Sequence, residues 1–209
     1  STEENHQSVP LSLQASSEEA RKCLWESTHL NDLGHPKDFV DEALSSLLAK
    51  TSKSIAEKRA TKGYCLRGVR FSLSRILRDK NSQPLLDFHN IGYDRLHLRR
   101  SFSPGYSAKN FLKWAKENPC TLCYKLKLAD ITKSLNPSSL LDMGTIHVYK
   151  AGRFHPKHGH IEVITGSTAQ KEGCSDHCRK IKGFHCCKPD MVLAPVKDCS
   201  WLILHERKV

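Results

Sequence analysis

At 209 residues, 38% of them hydrophobic and with a mean hydropathy of −0.50, the chain suits one well-buried core better than two full domains. No run approaches the roughly 18 uncharged apolar residues of a membrane helix. Lys and Arg outnumber Asp and Glu 33 to 22, a formal net charge of +11, which favours anionic partners: nucleic acid, an anionic membrane or an anionic cell wall. The basic residues are spread along the chain, and Trp25, Trp114 and Trp201 are not interleaved with them as a base-stacking platform requires, so no nucleic acid is expected.

Residues 1–15 are polar and aperiodic, a flexible lead-in to a single domain over 16–209. Ser16-x-x-Glu19 has the form of a capping box and predicts a helix to about His29, carrying Cys23 and Trp25. Pro36 opens a second helix to about Lys50, in which Phe39, Val40, Ala43, Leu44, Leu47 and Leu48 make an apolar stripe. A third follows Gly63. Its Leu66, Val69, Leu73, Ile76 and Leu77 share one face, and Cys65 lies in its first turn. Pro84, Gly92, Pro104 and Gly105 punctuate an irregular stretch over 80–106. A fourth helix over 107–117 buries Phe111, Leu112 and Trp114 and stops before Pro119.

Beyond Pro119 the period changes to two. Leu122, Tyr124, Leu126 and Leu128 alternate with Cys123, Lys125 and Lys127, which predicts a half-buried strand. Strands over 145–149 and 160–165 follow Gly144 and Gly159, joined by a basic connection with Arg153, Lys157 and His158. Shorter strands over 191–194 and 201–205 complete the pattern. Helices first and antiparallel strands second make an α+β fold, with N-terminal helices packed on an antiparallel sheet.

There are nine cysteines, and five of them crowd into 174–199. The economical reading is eight structural cysteines in up to four disulfides and one free thiol, Cys65, which places the protein in an oxidising compartment. Zinc is the alternative. Cys120-x-x-Cys123 and the Cys174, Cys178, Cys186 and Cys187 group, with His177 and His185, offer ligands. The single C-x-x-C lacks a second knuckle, however, and adjacent Cys186 and Cys187 do not suit one tetrahedral site. Redox use of Cys120 and Cys123 would want a helix N-terminus, and the alternation after Pro119 predicts a strand there.

Two segments carry the chemistry: Lys62-Gly63-Tyr64-Cys65-Leu66-Arg67-Gly68-Val69-Arg70 and His158-Gly159-His160-Ile161-Glu162-Val163-Ile164. A helical cysteine is commonly a small buried hydrophobe, and among 12 histidines any single one says little. In a helix's first turn, however, unpaired N–H groups and the helix dipole stabilise a thiolate, and Lys62, Arg67 and Arg70 lie nearby. A histidine opening a neighbouring strand is the base that such a thiol needs for acyl transfer.

With Gly144-Thr145-Ile146-His147-Val148-Tyr149 and the Gly159 to Gly166 strand, these segments resemble the papain-like cell-wall peptidases of the NlpC and CHAP type, over residues 62–79 and 142–176. The family pattern is a helix-initiating Cys, a Gly-Asp-led apolar strand and a Gly-His-led strand; here Thr145 stands in place of the Asp. The resemblance implies a papain-like, disulfide-stabilised fold with an insertion around 80–140 and a cysteine-rich segment over 174–199. It implies Cys65 as nucleophile, His160 as the base that later protonates the leaving amine, and Asp176 as the residue orienting the imidazole. Glu162, two along the strand from His160, is the rival for that orienting role. With Tyr64 and His158 it is also a candidate substrate contact. No metal or cofactor is implied.

The implied activity is hydrolysis of a peptidoglycan amide, in the peptide stem or at the glycan–peptide junction, by a secreted or periplasmic enzyme whose basic chain meets an anionic wall. A proteinaceous inhibitor or immunity protein would be a further partner. The alternatives are a secreted cysteine protease or deamidase toxin acting on protein, a disulfide-stapled binding module for an anionic polymer, and a zinc-dependent protein using the Cys/His tail.

Overall fold

The structure, a computed structural model, describes residues 40–58, 64–78, 107–132, 142–152, 154–167, 169–181 and 188–197. The expected lead-in over 1–15, the helix over 16–29, the irregular stretch over 80–106 and the strand over 201–205 lie outside the described residues, as do Cys23, Cys186, Cys187 and Cys199.

Pro36 and Phe39, where the sequence opens the second helix, lie outside the described residues; helix α1 runs over Glu42–Lys58, well past Lys50. Its start is set by Asp41, whose Oδ1 accepts the Leu44 N–H at 3.0 Å while its backbone carbonyl accepts that of Ser45. Its length follows from Ser52, Ile55 and Ala56, which keep one face buried beyond Lys50. Helix α2 (Cys65–Arg78) buries Leu66, Val69, Leu73, Ile76 and Leu77, the stripe its spacing predicts. Helix α3 (Ala108–Glu117) is capped by Ser107, whose side chain accepts the Asn110 N–H.

The segment after Pro119 is a helix, α4 (Pro119–Leu126), where alternation predicts a strand. Pro119 occupies a first-turn position that suits its missing N–H. Leu122 and Leu126, both buried, are spaced by four, which satisfies a helix face as well as an alternating strand. Lys127 then ends the helix in a left-handed conformation at φ 55°, and only afterwards does strand β1 (Leu128–Asp130) begin. The Cys120-x-x-Cys123 pair therefore opens a helix, and Cys123 is disulfide-bonded.

The remaining strands are β2 (Ile146–Tyr149), β3 (His160–Ser167), β4 (Gln170–Cys174), β5 (Cys178–Lys180) and β6 (Met191–Pro195). They form one six-stranded sheet in the order β1-β6-β2-β3-β4-β5, every neighbouring pair antiparallel. The fold is thus α+β. The β4–β5 hairpin straddles the start of the cysteine-rich segment, where the sequence pattern predicts no strand. Alternation along the strands divides the sheet. Ile146, Val148, Ile161, Val163, Met191 and Leu193 form one core with residues of all four helices, while His147, Tyr149, His160 and Glu162 occupy the intervening positions. Residues 107–130, which fall in the expected insertion, supply α3, α4 and β1 to this core and sheet. No helix among the described residues is long and apolar enough to cross a membrane.

The end of α4 is tied to the start of α1. The Lys127 ammonium is buried and pairs with Asp41 at 3.6 Å, Val40 bridges Val196, and the Val196 N–H donates to the Lys127 carbonyl. Loss of a helix cap alone costs about 1 kcal/mol. Asp41→Ala also takes a carboxylate from a buried ammonium, so the expected loss is about 3 kcal/mol in urea unfolding. A loss no larger than the cap's would show that the ion pair contributes nothing.

Candidate active site

Cys65 is the first residue of α2 and the free cysteine among the described residues; its side chain is partly buried against the core. The residue before it, Tyr64, precedes the helix, and its carbonyl accepts the Gly68 N–H at 3.0 Å. The Tyr64 N–H donates to Asp176 Oδ2 at 2.9 Å. Asp176 therefore anchors the start of the helix that carries Cys65 from the β4–β5 turn. Its carboxylate also accepts from Ser175 Oγ and bonds His177 Nδ1, each at 2.9 Å. Burial works to raise the Asp176 pKa, but these donors outweigh it and hold the carboxyl below its ordinary value. The approach is close because residue 68 is glycine: a Cβ there would lie 2.1 Å from the Ser175 carbonyl oxygen.

His160 opens β3 directly opposite Tyr149 of β2. Its ring faces Cys65, and its Nε2 bonds Glu162 Oε2 at 3.1 Å. Nδ1 is the ring nitrogen left for the thiol. Burial disfavours the charged ring, yet the hydrogen bonds and charges of Cys65 and Glu162 prevail and raise the His160 pKa to about 9. Glu162 is buried, and burial works to raise its pKa. The bonds from His160 and Arg179 outweigh that and bring it down to about 2.

Arg179 holds the Glu162 carboxylate from β5. Its Nε donates to Oε2 at 2.8 Å and its Nη2 to Oε1 at 2.5 Å, a two-point grip on a planar anion. The carboxylate fits because residue 173 is glycine; a Cβ there would lie 2.2 Å from Oε2. The Arg179 guanidinium lies over the Phe154 ring at 4.7 Å, and Phe154 packs on His160 at 4.8 Å and on Tyr149 at 4.5 Å. Burial and the Glu162 charge, partly opposed by Arg179, raise the Tyr149 pKa and keep its hydroxyl neutral. Just before Arg179, Cys178 forms a disulfide with Cys174 across the hairpin, with Cα atoms 4.1 Å apart. Glu172, Cys174 and Cys178 gather three ligand-type atoms, but both sulfurs are engaged in that disulfide.

Of the residues singled out from the sequence, the structure brings Cys65, His160 and Glu162 together. The carboxylate on His160 is that of Glu162; Asp176, expected there, lies on the Tyr64 N–H because the β4–β5 turn carries it to the start of α2. Glu162 is also not a substrate contact. Its carboxylate is buried, and both oxygens are taken. Tyr64 is 57% exposed beside Cys65, with Arg67 stacked over its ring at 5.8 Å. His158 is exposed and stacks on His155 at 4.9 Å, while its carbonyl accepts the Lys109 N–H at the start of α3. Sequence reasoning missed Arg179 and Phe154. Neither carries a signal in the sequence: the strand that bears Arg179 lies in a stretch whose sequence reads only as cysteine-rich. Comparison with family models, curated proteins and solved structures finds no match for this chain.

The shifted groups make stability depend on pH. His160 holds its proton more tightly when folded, so its contribution is fully present below about pH 6.5 and is lost as the pH rises through about 9. Glu162 contributes above about pH 4.5 and loses that contribution as the pH falls through about 2. The Tm is expected to fall between pH 6.5 and 9, with a shallower fall in His160→Asn. Equal slopes in the two proteins, read from thermal melts across that window, would show that the pair is not formed.

Proposed function

We propose that the protein is an extracytoplasmic cysteine-nucleophile amide hydrolase, papain-like and of the NlpC/CHAP type, that cleaves an amide bond in peptidoglycan. The observation that carries this reading is the pairing of Cys65, at the first residue of a helix, with His160, whose ring is held by a buried carboxylate. A histidine that keeps its proton to about pH 9 is an imidazolium at neutral pH, the partner that favours a thiolate beside it.

In the proposed reaction the Cys65 sulfur attacks the carbonyl carbon of the amide, and the carbonyl π pair moves to oxygen. The Cys65 backbone N–H, in the first turn where helical N–H groups lack intrahelical partners, faces the developing oxyanion. As the tetrahedral intermediate collapses, the C–N bond breaks and His160 gives its proton to the departing nitrogen. This leaves a thioester and a neutral imidazole. A water then loses a proton to His160 and attacks the thioester, and the acid product leaves with the thiolate restored. Glu162 takes the orienting role, holding the ring and stabilising its charged form. Asp176 serves by fixing the start of α2.

The substrate class rests on the sequence resemblance together with two physical features. A net charge of +11 suits an anionic wall, and the Cys174–Cys178 disulfide suits an oxidising compartment. The test is digestion of purified sacculi by wild type and by Cys65→Ala, with mass spectrometry of released fragments. Wild type is expected to release defined stem-peptide or glycan-free products, and the variant to release them at least ~10³-fold more slowly. Equal release by both would remove Cys65 as nucleophile. No release from several murein types by a folded wild type would remove peptidoglycan as substrate.

A further inference from the structure

We infer that Arg179 is a positioning residue for this site: it shares the Glu162 carboxylate with His160 and thereby weakens the hold of that carboxylate on the imidazole proton. The geometry is specific. One oxygen, Glu162 Oε2, accepts from both Arg179 Nε at 2.8 Å and His160 Nε2 at 3.1 Å, while Oε1 is left to Arg179 alone. Two positive groups bonded to one oxygen lie within about 6 Å of each other, close enough for each to disfavour the other's charge.

His160 is faced by Cys65 from α2, by Tyr149 from β2, by Glu162 on its own strand and, across that carboxylate, by Arg179 from β5. Tyr149 is neutral. The thiol and the carboxylate both favour the charged ring, so Arg179 is the cation among these groups that opposes it. A general acid works best when its pKa lies near the working pH, and an imidazole facing an unshared buried carboxylate would hold its proton too tightly to deliver it. Arg179 is itself held in place. It follows the disulfide-bonded Cys178 and lies over Phe154, which packs on the His160 ring.

The inference rests on the amide-hydrolase reading for its catalytic meaning, but its test needs no turnover. In a Cys65→Ala background, with histidine labelled and the His160 resonance assigned by its loss in His160→Asn, the ring is titrated by NMR. Arg179→Gln is expected to raise the His160 pKa by roughly one unit, a tenfold tighter hold on the proton, and Arg179→Lys, which keeps the charge, to move it much less. Glu162→Gln is expected to lower it. A purely structural role for Arg179 would loosen the site and leave the titration unmoved or lowered, and either result in a folded Arg179→Gln protein overturns the inference. Should that variant not fold, the Glu162→Gln/Arg179→Gln pair leaves no buried charge unpaired. Its His160 pKa must then exceed that of Glu162→Gln alone, and an equal or lower value overturns the inference. A pKa that moves as expected in a protein that digests no sacculi would support the role of Arg179 and count against the proposed activity.

Discussion

The buried carboxylate of Glu162 is the constraint on which the site depends. An isolated carboxylate in a protein interior is costly by many kcal/mol and would take up a proton. Here it stays ionised because His160 and Arg179 supply charged donors to both oxygens. That arrangement demands space, which Gly173 provides, and it demands that three strands keep their register, because the partners come from β3 and β5 with β4 between them. The Cys174–Cys178 disulfide closes the β4–β5 turn next to Arg179. The fold therefore spends its one described disulfide bridge within the strands at the point where a buried charge needs its partner.

The same hairpin acts on the other half of the site. Between the two cysteines lie Ser175, Asp176 and His177, and Asp176 takes the N–H of the residue preceding Cys65. Gly68 allows the helix to come that close. One short turn thus places the thiol-bearing helix by one residue and steadies the imidazole-bearing strand by another. An anion at a helix N-terminus also stabilises the helix, so the contact that sets the position of Cys65 strengthens the element that carries it.

Much of the framework was legible in the residues. The stripe Leu66, Val69, Leu73, Ile76 and Leu77 leaves α2 little choice but to lie on the core with Cys65 at its start, and the glycine-led apolar runs at 145–149 and 160–165 become β2 and β3. After Pro119 the sequence pattern is ambiguous, because a spacing of four between Leu122 and Leu126 serves both periods. There the first-turn proline and the left-handed Lys127 decided the outcome.

What the sequence by itself determined is the local structure and the placement of two side chains: periodicity and capping depend on near neighbours, and Cys65 and His160 each open an element whose apolar face is written in the chain. Which carboxylate holds the histidine was decided only in three dimensions. Asp176 and Glu162 were both within reach in sequence, and the hairpin turned one toward α2 and left the other beneath His160. Arg179 belongs wholly to the tertiary structure. Its partner lies on a strand two places away in the sheet, and pairing across strands is set by register and burial of charge, which no local pattern records.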